Sequence, residues 1–242
     1  MRVAVCQMDD VRGDIPRALT LVNTCLADAE RQGADLVCFP ECFLQGYDVV
    51  ASHVEAAAID LASSEFSRIL RNLKRCEPTI VLGFIEKERG TYFNSAIVVR
   101  RGVLVARYRK IHLLAGERAV FEPGDAYVVF EAAGVRVGIN ICYDTNFPEA
   151  VGAVARAGAE VVVCPSNNMM RRGAAEEWKH RHNEVRAMRA REAHVWLLSS
   201  DVTGERNGRI SYGPTAVIDP GGRVLQQVPL MSTGMVVAEI AR

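Results

Sequence analysis

The sequence predicts an α/β fold in which two β-sheets pack face to face with helices outside. Runs rich in β-branched residues alternate with helical patterns, which favours parallel strands joined by helices. Three runs between residues 79 and 110 instead follow one another across short Arg-Gly turns, which predicts an antiparallel meander. Near-continuous apolar runs such as "AEVVVC" (159–164) are typical of strands that are covered on both faces.

The first elements are a strand, a helix and a second strand. "RVAVCQM" (2–8) has the composition of a strand, and residues 17–32 place apolar side chains on one face of a helix. Asp14 is expected to cap the start of this helix, and Gly33 is expected to end it. "ADLVCFPE" (34–41) predicts the second strand.

A second helix over residues 63–75, capped by Ser63 or Ser64, precedes the three-stranded meander. The apolar stretch "YVVFEAAGVRVGINIC" (127–142) contains a central Ala-Gly turn and therefore predicts two further strands. A helix is then expected over residues 148–158, between a proline and a glycine.

The C-terminal third continues the alternation. "AEVVVCPS" (159–166) predicts a strand, and residues 174–193, rich in Ala, Glu and Arg, predict the longest helix. Strands are expected within "HVWLLSSDV" (194–202), "TAVIDPGGRVLQQV" (215–228) and "GMVVAEI" (234–240). No change of composition and no linker divides the chain, so a single domain is predicted.

Two stretches of the sequence repeat one pattern. "RQGADLVCFPE" (31–41) and "RAGAEVVVCPS" (156–166) share the order helix end, Gly-Ala, acidic residue, apolar strand and proline. Each places a polar residue just beyond its strand, Glu41 in the first and Ser166 in the second. We interpret them as two similar helix–strand units of one sheet system, although convergence on this common pattern is the alternative.

The composition argues against several kinds of partner. The 242 residues, 49% of them hydrophobic, are enough to bury a sizeable core. The 29 basic and 29 acidic residues cancel, so neither nucleic acid nor an anionic membrane is an expected partner. The first residues lack a signal-peptide pattern and no apolar run is as long as a membrane span, which predicts a cytoplasmic protein.

The cysteines and histidines form no recognisable metal motif. The seven cysteines are odd in number and include no C-x-x-C pair, which argues against a disulfide framework or a zinc ribbon. His180 and His182 stand two residues apart on a predicted helix and cannot share one of its faces. The absence of G-x-G and of a Walker loop argues against a nucleotide cofactor. We therefore expect neither a metal nor a cofactor.

Three polar residues lie at the carboxyl ends of predicted strands, where ligands of α/β sheets collect. They are Glu41 after "ADLVCFP", Lys110 after "VLVARYR" and Cys142 after "VRVGINI". Taken singly, Glu41 could equally be a solvated acid, Lys110 a surface lysine and Cys142 a thiol of the core. Together they supply a nucleophile, a base for its proton and a positive charge for an oxyanion. The amide N–H of Tyr143 is a natural second oxyanion donor.

A cysteine–histidine pair is the usual alternative for a thiol hydrolase. His112 lies two residues after Lys110 and could share its strand face, so Cys142 and His112 form the rival pair. The residues alone leave these two arrangements open.

The sequence resembles the nitrilase or carbon–nitrogen hydrolase superfamily along essentially its whole length. "CFPECFLQGY" is similar to the segment around the catalytic glutamate of that family, "YRKIHL" to that around its lysine, and "GINICYDTNFPE" to that around its nucleophile. These segments assign the three roles to Glu41, Lys110 and Cys142. "GERAVFEPG" resembles the region of a second, supporting glutamate, which would be Glu117.

The resemblance implies a four-layer α-β-β-α sandwich of two mixed sheets, a single domain over residues 1–242 and assembly as a homodimer or a larger homo-oligomer. It implies hydrolysis of the non-peptide C–N bond of a small amide through a thioester on the cysteine, without a cofactor. We also expect Tyr47, Asn167 and Asn168 to line the substrate pocket.

Several other functions stay open at this point. A nitrilase or an N-carbamoyl hydrolase would use the same three residues, but N-carbamoyl hydrolases often carry an Arg pair where this chain has Thr145 and Asn146. An ammonia-supplying domain of a synthetase and a non-catalytic binder of metabolites or partner proteins are the remaining alternatives. Arg171 and Arg172 could bind an acidic substrate, although a solvated loop explains them more simply.

Overall fold

The computed structural model describes residues 1–73 and 76–241. In chain order, its strands are β1 (Arg2–Asp9), β2 (Leu36–Cys38), β3 (Ile59–Asp60), β4 (Thr79–Glu88), β5 (Thr91–Arg100), β6 (Val103–Arg109), β7 (Val129–Ala132), β8 (Val135–Ile139), β9 (Val161–Pro165), β10 (Met170–Arg171), β11 (Trp196–Ser200), β12 (Val202–Arg206), β13 (Arg209–Ser211), β14 (Ala216–Ile218), β15 (Val224–Gln227) and β16 (Gly234–Glu239). The helices are α1 (Ile15–Arg31), α2 (Ala51–Ala57), α3 (Ser64–Asn72), α4 (Pro148–Arg156) and α5 (Arg172–Ala193). Two 3-10 turns span Glu117–Ala119 and Cys142–Asn146.

The strands form two mixed sheets. The larger sheet has the order β10-β13-β12-β1-β2-β4-β5-β6, with β16 also paired to β1 and β3 also paired to β4. The smaller sheet has the order β15-β14-β11-β9-β8-β7. Strands β1, β2 and β4 are parallel, as are β8, β9 and β11, whereas β4, β5 and β6 form the predicted antiparallel meander.

Alternate residues of β1 show how the layers stack. Val3 and Val5 pack in a buried cluster with residues of the smaller sheet, including Ile139 and Val163. Their neighbours Ala4 and Cys6 belong to another cluster that contains the apolar faces of α1 and α3. Helices α4 and α5 cover the outer face of the smaller sheet through two further clusters. The four-layer α-β-β-α sandwich is therefore confirmed.

The helix ends follow local chemistry. The side chain of Asp14 accepts a hydrogen bond from the N–H of Arg17 at 3.0 Å, and Gly33 lies just beyond the helix with φ of 71°, as predicted for α1. Ser63 Oγ caps α3 by accepting from the N–H of Phe66 at 3.1 Å. The helix predicted over 63–75 is observed as Ser64–Asn72, and residues 74 and 75 lie outside the described residues.

The predicted strand over 194–202 is wrong in one respect, because it spans two sheets. β11 belongs to the smaller sheet and β12 to the larger one, and Asp201 stands between them. The side chain of Asp201 accepts the N–H of Val202 at 2.9 Å, while its own N–H donates to Thr215 Oγ1 at 2.9 Å. These bonds give the N–H groups of Asp201 and Val202 a partner at the point where the chain passes from the smaller sheet to the larger one.

Two strands end earlier than their apolar patterns indicate. β2 stops at Cys38 and β8 stops at Ile139, so Glu41 and Cys142 both lie beyond the strand ends, Cys142 as the first residue of a 3-10 turn. α2, β3, β10 and β13 were not predicted, because elements this short carry little periodicity. In the described part of the chain, no helix combines the length and apolar character needed to cross a membrane.

Candidate active site

Glu41 and Lys110 meet in a buried cluster of polar side chains. Lys110 Nζ lies 2.7 Å from Glu41 Oε1 and 2.8 Å from Glu117 Oε1. Asn94 Nδ2 donates to the same two carboxylate oxygens, at 2.7 Å and 3.0 Å. The two glutamates and the lysine are each at most 1% exposed. One ammonium therefore bonds two carboxyl groups away from water.

The environment shifts the pKa of both partners. Burial raises the pKa of Glu41 above its ordinary value, and Glu117 adds to this rise while Lys110 opposes it. Burial favours the neutral amine of Lys110, but Glu41 and Glu117 outweigh that effect and hold the Lys110 pKa well above its ordinary value. The cluster therefore combines a permanently charged lysine with a carboxylate that can accept and return a proton.

Cys142 opens a tight turn that follows the end of β8 after two intervening residues. It is the first residue of the 3-10 turn Cys142–Asn146 and has φ of 43°, a conformation that non-glycine residues seldom adopt. Thr145 Oγ1 donates to the carbonyl of Cys142 at 2.8 Å and holds the turn closed. Tyr143 is the second residue of the turn, where a backbone N–H has no partner within a helix. This strand–turn–helix geometry presents both the thiol and the N–H of Tyr143.

The thiol is next to the charged cluster. Asn168 Oδ1 lies 3.7 Å from Cys142 Sγ, and the N–H of the preceding Asn167 donates to Glu41 Oε2 at 2.9 Å. Burial raises the pKa of Cys142 well above its ordinary value; Glu41 raises it further and Lys110 opposes the rise. The resting thiol is therefore neutral, and a reaction at this sulfur requires a base that takes its proton.

Asp144 anchors the turn that carries the thiol. Its Oδ2 accepts from Tyr108 Oη at 2.8 Å and from the N–H of Ile141 at 2.9 Å. Its Oδ1 lies 2.8 Å from the N–H of His112 and 2.9 Å from His112 Nδ1. His112 is thus bound to Asp144, and its ring stacks on Phe147 at 3.9 Å between centroids. This arrangement does not favour the cysteine–histidine pair.

A cavity of about 530 Å³ opens at Cys142. The predicted lining residues Tyr47, Asn167 and Asn168 are all in its wall, as are Glu117 and Tyr143. The rest of the wall includes Val49, Leu114, Thr145, Asn146, Met169, Met170, Arg171, Trp178, His182, Arg186 and Arg209. This volume suits a small molecule.

Asn168 is itself held by a buried ion pair. Asp201 Oδ1 accepts from the N–H of Asn168 at 3.0 Å, and Asp201 Oδ2 accepts from Asn168 Nδ2. Arg186 of α5 lies 3.9 Å from Asp201 Oδ2 and donates to Ser166 Oγ at 2.8 Å. Burial raises the pKa of Asp201 to about 6, against the effect of Arg186. The α5 helix is thereby connected to the wall of the cavity.

Four supporting residues were not predicted from the sequence. They are buried polar side chains: Asn94, Asp144, Arg186 and Asp201. A polar residue within an apolar strand was the available signal for Asn94, in "TYFNSAIVV". Asp201 likewise interrupts the predicted strand "HVWLLSSDV", whereas Asp144 and Arg186 lie in polar surroundings of the sequence, where no pattern separates a buried side chain from a solvated one. Within the described residues, no group of His, Cys, Asp and Glu is arranged to hold a metal ion.

Comparisons with known proteins bear on the whole chain. The family profile described as carbon-nitrogen hydrolase matches residues 2–242. An (R)-stereoselective amidase of Pseudomonas sp. is 32% identical over 230 residues, which cover 93% of this chain and 80% of the relative. A nitrilase of Pyrococcus abyssi is 31% identical over 243 residues, which cover 99% of this chain and 89% of the relative.

A solved structure shares the fold. It is a Glu-to-Gln variant of the amidase from Nesterenkonia sp. AN1, showing the result of Michael addition of acrylamide at the active-site cysteine. Its TM-score is 0.83 at 25% sequence identity, and the match covers 100% of this chain and 93% of that chain. The similarity therefore extends over both sheets and both helix layers.

Proposed function

The chain belongs to the carbon-nitrogen hydrolase family, and we propose that it hydrolyses small amides through a thioester on Cys142. The products are a carboxylic acid and ammonia or an amine. One observation carries the proposal: a buried Glu41–Lys110–Glu117 cluster lies beside a cavity-lining thiol on a strained turn. The amidase relatives agree with this chemistry.

In the first half-reaction, Glu41 acts as base. Its raised pKa suits it to take the proton of the neutral Cys142 thiol as the sulfur attacks the carbonyl carbon. The carbonyl electron pair moves to oxygen, and the Lys110 ammonium and the N–H of Tyr143 stabilise the oxyanion. The intermediate then collapses, Glu41 passes its proton to the departing nitrogen, and the acyl group remains on sulfur.

The second half-reaction repeats these steps with water. Glu41, now ionised, takes a proton from water as its oxygen attacks the thioester carbon. Collapse of the second intermediate breaks the C–S bond, and the proton returns from Glu41 to the Cys142 sulfur. Glu117 positions Lys110 throughout, because its carboxylate binds the ammonium at 2.8 Å and accepts the N–H of Leu114 at 2.8 Å.

The neighbours of Cys142 favour an amide over an N-carbamoyl acid. Thr145 bonds the carbonyl of Cys142 and Asn146 lines the cavity, so neither position supplies the Arg pair that would hold an N-carbamoyl carboxylate. A nitrile is the second candidate, because a nitrilase is among the relatives. It would form a thioimidate on the same sulfur before losing ammonia.

The test is ammonia release from a panel of small amides, N-carbamoyl acids and nitriles. We expect amide turnover in the wild type and its loss in Cys142→Ala and Glu41→Gln. Cys25→Ala is the matched control, because Cys25 is partly exposed like Cys142 but lies in α1. Circular dichroism checks the fold of each variant.

Three results would contradict the proposal. Turnover of nitriles alone would assign the nitrilase reaction. An inactive His112→Ala variant beside an active Glu41→Gln variant would favour the cysteine–histidine pair. No turnover of the whole panel, with ligand binding retained, would favour a non-catalytic binder of metabolites.

We further propose a single domain over residues 1–242 that acts in the cytoplasm as a homodimer. The match of one family profile over residues 2–242 supports the single domain. The cysteines of the described chain are unpaired, which agrees with a reducing compartment. The dimer follows from the family resemblance, and light scattering during size-exclusion chromatography measures it directly. Neither nucleic acid nor a membrane is a proposed partner.

A further inference from the structure

A row of three arginines crosses the edge of the larger sheet beside the cavity. Arg206 of β12 pairs with Arg209 of β13, and Arg209 pairs in turn with Arg171 of β10. Residues that pair directly on neighbouring strands point to the same face of a sheet. Like charges in such pairs repel each other, so an anion beside a row of three guanidinium groups is stabilising.

The chain itself compensates Arg206, the arginine of this row that lies farthest from the sheet edge. Arg206 Nε lies 2.6 Å from Asp10 Oδ2, and its Nη1 lies 3.8 Å from Asp48 Oδ2. The next residue after β10, Arg172, also has a carboxylate partner, since its guanidinium lies 2.7 Å from Glu205 Oε2. Arg172 is therefore the solvated surface residue that its sequence context indicated.

Arg171 and Arg209 differ from both of these residues. Among residues 1–73 and 76–241, no carboxylate oxygen lies within 4.0 Å of either guanidinium group. Arg209 makes one long hydrogen bond, 3.4 Å from Nη1 to the carbonyl of Met169. Both arginines line the cavity that contains Cys142. Both side chains are exposed, and together they border the substrate space without a carboxylate partner in the described part of the chain.

The rest of the cavity does not neutralise them. Glu117 is bound to Lys110 at 2.8 Å, and Arg186 lies 3.9 Å from Asp201. Burial, together with the nearby Arg186, lowers the pKa of His182 to about 3, so this wall residue is neutral at physiological pH. Positive charge in the cavity is therefore concentrated at Arg171 and Arg209.

The short chain path from Asn168 to Arg171 limits how far Arg171 can lie from the thiol. Asn168, in contact with Cys142 Sγ at 3.7 Å, precedes Arg171 by three residues. Three residues of extended chain span at most about 10 Å, and the Arg side chain covers part of that distance. Met169 and Met170 add apolar wall between these points.

We propose that Arg171 and Arg209 bind a carboxylate at the far end of the acyl group, so that the preferred substrates are monoamides of dicarboxylic acids. Guanidinium groups form paired, charge-assisted hydrogen bonds with a carboxylate. The amide carbonyl then lies at Cys142 and the acyl chain crosses the apolar part of the cavity. This inference rests on the proposed amidase function, because it specifies the substrate of that same site.

The experiment compares malonamate, succinamate and glutaramate with neutral amides of equal carbon number: propionamide, butyramide and valeramide. For the wild type, we expect at least one anionic substrate to have a kcat/KM about tenfold or more above that of the neutral amide with the same carbon number. Arg171→Gln and Arg209→Gln should each lower the anionic value about tenfold and change the neutral value less than twofold. Added salt should reduce the preference.

Arg172→Gln is the matched control, because it removes an adjacent arginine that already has a carboxylate partner. Arg172→Gln should leave the ratio of kcat/KM for anionic and neutral substrates unchanged. A wild type without preference, or glutamine variants that lose both substrates equally, would overturn the inference while leaving the amidase function intact. Thermal unfolding should be unaffected or shifted upward in Arg171→Gln and Arg209→Gln, since each relieves repulsion.

A second readout does not depend on turnover. Glutarate should protect Cys142 of the wild type from iodoacetamide, and this protection should weaken in the Arg171→Gln and Arg209→Gln variants but persist in Arg172→Gln. If no amide is hydrolysed and glutarate still protects, the amidase proposal fails and the carboxylate site stands. If amides are hydrolysed and glutarate does not protect any form, the carboxylate site fails.

Discussion

Gly83 of β4 offers a way to displace Glu41 without changing any polar side chain. An added Cβ at this position would lie 2.1 Å from the carbonyl oxygen of Pro40 and 2.3 Å from the N of Cys42. It would also lie 2.7 Å from the carbonyl carbon of Glu41. All three contacts are backbone, so no side chain can turn aside to make room. The Gly83→Ala substitution must therefore move the segment that carries the carboxylate.

The size of the movement follows from these distances. An ordinary van der Waals contact begins at 3.4 Å. The added Cβ would lie 2.1 Å from the Pro40 oxygen, so one of the two must move by about 1.3 Å, the difference between these distances. A shift of this size would stretch the 2.7 Å contact between Glu41 and Lys110 beyond hydrogen-bond length. Misplacing a catalytic group by about 1 Å costs on the order of 100-fold in rate. Overpacking of this kind costs about 1–3 kcal/mol of unfolding free energy, less than a typical domain has.

We therefore expect Gly83→Ala to remain folded and to lose about 100-fold in kcat for amide hydrolysis. Ammonia release measures the activity, and urea unfolding measures the stability. Gly234→Ala in β16 is the control, because its added Cβ would meet only Val228 Cγ1, at 3.4 Å. A folded Gly83→Ala variant with activity within threefold of the wild type would refute the dependence of catalysis on the position of Glu41.

Two further predictions concern the supports of the site. Tyr108→Phe removes one hydrogen-bond donor to the buried carboxylate of Asp144. We expect urea titrations to show a loss of about 1.5–3 kcal/mol of unfolding free energy, together with a lower kcat. A variant with unchanged stability and activity would mean that Asp144 does not depend on this bond. Asp201 has a folded pKa of about 6 against an ordinary 3.8, so its protonated form favours the folded state. Protonation of Asp201 therefore adds about 3 kcal/mol to the unfolding free energy. This stabilisation is fully present below pH 3.8 and is lost as the pH rises through about 6. Urea unfolding from pH 4 to 7 should therefore show a difference between wild type and Asp201→Asn that changes over this window, and a constant difference would contradict the shifted pKa.

The positions of Glu41, Lys110 and Cys142 could be anticipated because they depend on local patterns. Each follows an apolar run that is long enough to predict a strand, although β2 and β6 belong to the larger sheet and β8 belongs to the smaller one. The turn after β8 could be anticipated as well, since "YDTNFPE" combines turn-forming residues with a proline that begins α4.

The supporting contacts could not be anticipated, because they join distant parts of the chain. Asn94 reaches Glu41 across 53 positions of sequence, and Asn168 reaches Asp201 across 33. Their partners depend on the strand order, which local periodicity does not determine. The different surroundings of Arg171 and Arg172 have a similar origin. β10 pairs with β13 and brings Arg171 to the cavity, whereas the next residue begins α5 and meets Glu205.

The repeated sequence pattern explains where the site lies. β1-α1-β2-α3-β4 and β8-α4-β9-α5-β11 are two successions of parallel strands and helices, one in each sheet. The repeated units 31–41 and 156–166 supply β2 and β9, so they belong to different sheets rather than to one.

The two units meet at their carboxyl ends, where the N–H of Glu41 donates to the carbonyl of Ser166 at 3.1 Å. Because the sheets pack face to face, the polar residues that follow β2 and β9 project toward each other instead of into solvent. Cys142 reaches the same place from β8, the strand beside β9. A buried base and a nucleophile can therefore come from opposite sheets and still share one cavity. Their alignment depends on the packing of the two sheets, so substitutions in the inter-sheet core should affect catalysis before they unfold the protein.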